Sequence, residues 1–166
     1  MNVKIQDWTP KMSTRLTGPL SVREENFDDE AAVRLRALAR LERAQLGTER
    51  IPIDPQIIPD DLITHVIART HGTAVGCGAL VAIDDGIFEL HRFYVRFDAR
   101  GIGAGGVLLG ALEQAAIQRD GSAIVVETTS LLPDTVGFFL RNGYRRIAPW
   151  GHYETRPTSV CFSKVF

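Results

Sequence analysis

At 166 residues the chain is the size of one domain and long enough to bury a core without disulfide or metal staples. Hydrophobic residues make up 45% and charged residues 23%, which excludes the disordered, collagen-like and coiled-coil classes, and a formal net charge of -1 excludes the broad basic surface that nucleic acid or an acidic membrane would select. No apolar stretch approaches the ~18 to 20 residues that cross a bilayer and the Met1 start lacks an apolar signal region, so a cytoplasmic protein with no nucleic-acid or membrane partner is expected.

The two cysteines, Cys77 and Cys161, lie in apolar, strand-like segments with no second Cys or His at a metal-ligand spacing. Both read as reduced core residues, and no metal site is expected. Residues 1-18 mix Lys, Asp, Thr, Pro and Ser without periodicity and read as a disordered or remnant N-terminal arm, leaving 19-166 as a single domain. A short strand is expected from Leu20 to Arg23. The acidic run Glu24 to Glu30 then offers caps for a helix whose apolar positions are Val33, Leu35, Leu38, Leu41 and Leu46, with Gly47 as its stop. Three prolines between Thr48 and Pro59 mark a loop, and a short helix is expected at Asp60 to Thr64.

The pattern then changes to strands at His65 to Arg69, Thr73 to Ile83 and Gly86 to Val95, with Asp84-Asp85-Gly86 as a hairpin turn, which makes an antiparallel meander. Beyond a loop comes a helix with the apolar face Val107, Leu108, Leu109, Leu112, Ala115, Ala116 and Ile117, stopped at Asp120-Gly121. Ala123 to Glu127 reads as a buried strand parallel to the one before the loop. A helix at Pro133 to Arg141 ends at Asn142-Gly143, and strands follow near Tyr144 to Ile147 and Ser159 to Val165. There are no repeats and no low-complexity segments.

The densest signal is Arg100-Gly101-Ile102-Gly103-Ala104-Gly105-Gly106, between a strand and a helix. Glycines let the backbone approach a ligand and take positive φ, while the free N–H groups of the helix start face an anion, so a pyrophosphate fits. A merely tight strand-to-helix turn needs fewer glycines. A dinucleotide site is the competing reading, because Gly101, Gly103 and Gly106 match G-x-G-x-x-G and Glu127 follows about 20 residues on. Such a loop normally opens a doubly wound sheet, whereas here it follows a meander.

Arg100 to Gly105 resembles the Q/R-x-x-G-x-G/A loop of the GNAT N-acetyltransferase superfamily, and Glu89-Leu90-His91-Arg92-Phe93-Tyr94-Val95 looks like its central strand. Gly76 to Leu80, Val126-Glu127-Thr128 and Val136 to Tyr144 are similar to the strand before it, the strand after the loop and the last helix. Pro149 to Tyr153 and Ser159 to Phe162 resemble a small bacterial acetyltransferase subgroup. The resemblance implies an α/β (α+β) fold, with a mixed, mostly antiparallel central sheet whose parallel central strands splay apart between flanking helices. It further implies acetyl-CoA in the V, its pyrophosphate on the N–H groups of Ile102 to Gly106 and its pantetheine paired with the backbone of Phe93, Tyr94 and Val95. Thr128 and Phe139 are expected to bind the cofactor as well. Arg96 and Arg100 stand near enough in sequence to offset phosphate charge, or are solvated loop residues, a reading that suits Arg96 better.

An ammonium must lose a proton before it attacks a thioester, so the chemistry wants a base near the acetyl carbon and a donor for its oxygen. Strand alternation places Glu89, His91 and Phe93 on one face. By resemblance Glu89 sits where many relatives carry a glutamate base, the alternative being a salt bridge to Arg92 or Arg145; His91 is a second candidate or orients Glu89. The oxyanion donor implied by resemblance is an N–H near Phe93 or Tyr94. Where many relatives have a tyrosine acid, this chain has Phe139. Tyr153 is the replacement hydroxyl, the alternatives being unaided thiolate departure and a surface tyrosine with no role. The expected activity is direct transfer of acetyl from acetyl-CoA to an amine, small or peptidic, entering beside the Thr48 to Pro59 loop. Glu49, Asp54 and Asp60 there would suit a cationic amine. A non-catalytic acyl-CoA-binding module and a nucleotide-cofactor oxidoreductase are the alternatives, and a homodimer is left open.

Overall fold

The architecture is that of a computed structural model, which describes residues 16–45 and 59–166. The arm expected at 1-18 falls almost wholly outside these residues, as do Leu46, Gly47 and nearly all of the loop to Pro59.

A strand, β1 (Leu20–Glu24), leads to α1 (Glu30–Gln45). Asp29 caps the helix by accepting the Ala31 N–H on its carboxylate at 2.8 Å. A 3-10 turn at Pro59–Asp61 precedes β2 (Leu62–Thr70), so the helix expected at Asp60 to Thr64 is a single turn and its second half is strand. Ile63 and Thr64 are pulled into the sheet because β-branched side chains pack there against neighbours already in place. Next come β3 (Thr73–Asp84) and β4 (Ile87–Val95), joined by the expected tight turn. A 3-10 turn at Phe97–Ala99 and the glycine loop lead into α2 (Ala104–Ile117). Then follow β5 (Ala123–Thr129), α3 (Pro133–Arg141), β6 (Arg145–Ile147) and β7 (Ser159–Val165).

The seven strands form one sheet in the order β1-β2-β3-β4-β5-β7-β6. The first four pair antiparallel, β4 and β5 pair parallel through the α2 crossover, and β7 lies antiparallel between β5 and β6. Period-two alternation sends Val66 and Ala68 of β2 to one face, and a register shift at Val75 of β3 brings Val75 to the same face as Leu80, where they meet Leu108, Leu109 and Leu112 of α2 in the main core. Ile67 and Cys77 point the other way, against Ala32 and Leu35 of α1. Gly76 and Gly78 let α2 sit close to the sheet: a β-carbon at Gly78 would lie 2.8 Å from Leu112 and 3.2 Å from Phe93.

Two helix faces are narrower than the apolar pattern predicted. In α1 only Ala32 and Leu35 are buried, while Val33, Leu38 and Leu41 face outward. In α2, Val107 and Ile117 are exposed at the ends of the stripe. Periodicity marks which residues are apolar but not how wide a strip the sheet covers. Both thiols are free and buried, as expected, and burial pushes Cys77 up to about 12 and Cys161 to about 11, so neither is a ready nucleophile. No helix of the described residues is long and apolar enough to cross a membrane.

Candidate active site

The central parallel strands pair only at their N-terminal ends, Ile87 with Ala123, Phe88 with Ile124 and Glu89 with Val125. Beyond Glu89 they part, leaving a cavity of about 830 Å³ between the second half of β4 and the second half of β5. At the same place β4 carries a bulge: Cys77 and Ala79 of β3 stand opposite Tyr94 and His91, so that Gly78 alone faces both Arg92 and Phe93, and Arg92 takes a φ of 54°.

That bulge corrects one expectation. Glu89 and His91 share a face, but the extra residue turns Phe93 to the opposite side, where it stacks on Phe138 at 5.6 Å and joins the α2 core. Tyr94 faces α1 and Val95 the α2 side, so Phe93, Tyr94 and Val95 reach the cavity along one edge of a strand.

The glycine loop closes one end. Gly101 and Gly103 have φ of 82° and 92°, which an L side chain rarely adopts, and Gly103 immediately precedes α2. A β-carbon at Gly101 or Gly106 would meet nothing within 4 Å, and at Gly103 only Leu20 at 4.0 Å, so three glycines border open space rather than packed protein. Gly105 differs, because Phe138 stands 3.1 Å from where its β-carbon would be. The first-turn N–H groups of α2, including those of Ala104, Gly105 and Gly106, have no intrahelical acceptors and lie at the cavity wall. Open space beside unpaired helix-start N–H groups is an arrangement that could hold an anion of pyrophosphate size. Ile102 packs its side chain against the core and is not among the residues that line the cavity.

Arg100 is tied in place: its Nε donates to the Val95 carbonyl at 3.1 Å and its guanidinium pairs with Glu42 of α1 at 2.7 Å, leaving it on the cavity rim. Arg96 instead forks onto Asp98 at 2.6 and 3.0 Å, so its charge is spent within the loop rather than solvated. Thr128 and Phe139 stand on the opposite wall, Phe139 within an aromatic cluster of Phe93, Phe138, Tyr144 and Phe162.

At the other end, three residues far apart in sequence converge. The Tyr153 hydroxyl donates to Glu89 Oε1 at 2.6 Å, and His91 Nε2 lies 3.3 Å from Glu89 Oε2. All three are nearly enclosed, Tyr153 at 1% exposure and the other two at 6%, which overturns the surface reading of Tyr153. The salt-bridge reading of Glu89 fails as well, because its oxygens go to Tyr153 and His91 and not to Arg92 or Arg145. His91 and Tyr153 line the cavity with Glu89 behind them. Burial alone would push the Glu89 carboxyl up, but hydrogen bonds from His91 and Tyr153 outweigh it and hold the group below the usual carboxylate range. Tyr153 is held by Trp150, His152 and Arg156, whose ring centroids or guanidinium lie 4.0 to 5.1 Å away.

Sequence reasoning missed Arg92 as a cavity residue, and nothing in the sequence marks a bulge at a non-glycine position. The entry loop with Glu49 and Asp54 lies outside the described residues, and Asp60 is exposed. No group of three or more metal-ligating side chains comes together among the described residues.

Residues 25–144 match the model of the acetyltransferase (GNAT) family. An IAA acetyltransferase of Azospirillum brasilense is 33% identical over 114 residues, 68% of this chain and 74% of that protein. Among solved structures, a Klebsiella pneumoniae protein described as an acyl-CoA N-acyltransferase superposes with a TM-score of 0.74 at 28% identity, over 88% of this chain and 97% of its own. A Thermoplasma acidophilum PaiA N-acetyltransferase in complex with coenzyme A shares the fold, with a TM-score of 0.69 at 15% identity over 89% of this chain and 99% of its own.

Proposed function

This chain belongs to the acetyltransferase (GNAT) family and is an acyltransferase, and from that premise we propose that it moves acetyl from acetyl-CoA to an amine by direct attack within a ternary complex. The observation that carries the reading is the pairing of two half-sites across one cavity: an open glycine cradle at one end and the Glu89–Tyr153–His91 cluster at the other. Acetyl-CoA supplies the acetyl group as a thioester, an activated acyl donor.

The chain's own residues divide the remaining work. Gly101, Gly103 and Gly106 leave room for the pyrophosphate, the first-turn N–H groups of α2 bind it, and Arg100 adds positive charge at the rim. The exposed edge of β4 from Phe93 to Val95 orients the pantetheine, and an N–H at Phe93 or Tyr94 serves as the oxyanion donor. Glu89 is the base. Because it sits behind His91 and Tyr153, the amine proton reaches it through the cavity-facing His91 or a water, and His91 also orients the carboxylate. Tyr153, whose hydroxyl already forms a short hydrogen bond, is the acid for the departing thiolate where Phe139 has no hydroxyl.

The lack of a hydroxyl at Phe139 favours the non-catalytic alternative, and against it the buried Tyr153 carries a hydroxyl at the same cavity. Release of free thiol from acetyl-CoA in the presence of an amine panel tests the reading. Amine-dependent thiol release with stoichiometric N-acetyl product is the expected result; coenzyme A binding with no transfer to any amine would overturn it in favour of the binding module.

A further inference from the structure

Two arginines, Arg92 on the wall of the cavity and Arg36 on the neighbouring helix α1, each keep a buried guanidinium nitrogen that the fold leaves without a hydrogen bond. Arg92 Nε and Arg36 Nη1 are buried and have no hydrogen-bond partner among the described residues. Of the neighbouring carboxylates, Glu89 is committed to Tyr153 and His91, Glu42 to Arg100 and Glu25 to Arg69, while Asp28 attracts Arg36 electrostatically but makes no hydrogen bond to its Nη1. A buried guanidinium N–H with no acceptor costs on the order of 1–3 kcal/mol or more, so two of them at one place need a reason.

Their placement ties them to the cavity. Arg92 is a cavity-lining residue at the bulge of β4, next in sequence to His91. Arg36 lies on α1 one turn before Ala39 and two before Arg43, both of which line the same cavity, so its stripe runs along the cavity wall. Its guanidinium is fixed 3.9 Å over the Phe27 ring. Burial first, and then the charge of Arg92, hold the Arg36 guanidinium below its ordinary range although Cys77 and Asp28 oppose the shift, so the two cations sense one another. Arg92 adds a second cost, since a non-glycine residue at φ 54° is strained by roughly 1 kcal/mol or more. Strain and two buried guanidinium N–H groups without acceptors beside a substrate cavity are the arrangement of a site completed by an anionic ligand.

We propose that the acceptor amine carries a carboxylate, which seats on Arg92 and Arg36 while the amine turns toward His91 and Tyr153. The acceptor class is therefore an amino acid or related amino carboxylate. This rests on the acetyl-transfer reading for the identity of the amine, but the anion seat is testable without turnover.

The probes are the N-acetyl derivatives of the twenty amino acids, each as the free acid and as its C-terminal amide, titrated by calorimetry into the full chain saturated with coenzyme A. At least one free acid is expected to bind roughly 10- to 100-fold tighter than its amide. Arg36→Met, which keeps the stem over Phe27, and Arg92→Gly, which accepts the positive φ, should each bring acid and amide to within a few-fold of one another, with folding checked by circular dichroism. Equal binding of acid and amide, tighter amides, no binding of any acid, or full discrimination in both folded variants would each overturn the proposal. If a variant does not fold, the wild-type comparison decides alone. Discrimination without any acetyl transfer would sink only the transfer reading, and transfer without discrimination would sink only the carboxylate seat.

Discussion

Glu89 is held by two donors, and that sets what each substitution should do. Glu89→Gln keeps the shape but removes the base, so kcat should fall by roughly 10² to 10⁴-fold with coenzyme A affinity retained, as steady-state kinetics and calorimetry will show. Tyr153→Phe deletes the donor 2.6 Å from Oε1. Burial pushes the Glu89 carboxyl up and Tyr153 is one of the hydrogen bonds that pull it below its ordinary value, so losing that bond must raise it. If the ionised carboxylate is the active form, the acidic limb of the kcat/KM profile should move to higher pH in Tyr153→Phe, and the alkaline limb should disappear if the hydroxyl is the acid. A profile unchanged at both limbs would leave Tyr153 as packing.

At the scale of elements, the start of α2 separates ligand effects from backbone effects. Gly103 is a poor probe because its φ of 92° strains any side chain. Gly106 lies in the first turn of α2 with open space around its missing β-carbon. Gly106→Ala should therefore leave stability unchanged or raise it by up to about 1 kcal/mol in a denaturant melt, while weakening coenzyme A binding by filling the cradle. Strand β2 carries a second element-scale effect through His65, which is 2% exposed and whose Nδ1–H donates to the Glu25 carbonyl, 3.1 Å away. Burial holds its folded pKa below the ordinary 6.5, even though the Glu25 hydrogen bond opposes the shift. Below about pH 6.5 the unfolded chain takes up a proton that folded His65 refuses, so this contribution is present near neutrality and is lost as pH falls. The melting temperature should drop from pH 7 toward pH 5, and His65→Gln should flatten that slope.

For the whole molecule, the cavity exists because the sheet is clamped on one side and released on the other. Gly76 and Gly78 bring α2 against β3, and a β-carbon at Gly78 would press on Leu112 and Phe93 together. Gly78→Ala should cost about 1–3 kcal/mol by overpacking, measured by chemical denaturation, and loosen coenzyme A binding because Phe93 borders the cavity. Ligand present at 100 times its Kd adds roughly 2.7 kcal/mol, so saturating acetyl-CoA should recover most of that loss in melting temperature.

By itself the sequence determined the meander, the single crossover, the α3 helix and the glycine cradle, because these follow from local rules: period-two and period-3.6 patterns, turn residues, and the freedom of glycine. Glu89, His91 and Tyr153 were named from chemistry and resemblance, but no local rule brings a loop tyrosine at 153 to a strand carboxylate at 89. That contact arises because the β5-β7-β6 half of the sheet folds back beside β4. The bulge at Arg92 was equally invisible, since a positive φ at an arginine is imposed by the pairing of β4 with β3 against local preference. The same tertiary pairing decided that Phe93 leaves the Glu89 face, that the apolar face of α1 is only partly covered, and that Arg36 and Arg92 each keep one buried nitrogen without a hydrogen-bond partner among the described residues. Local sequence specifies which conformations each segment favours; which side chains meet is decided by packing between segments distant along the chain.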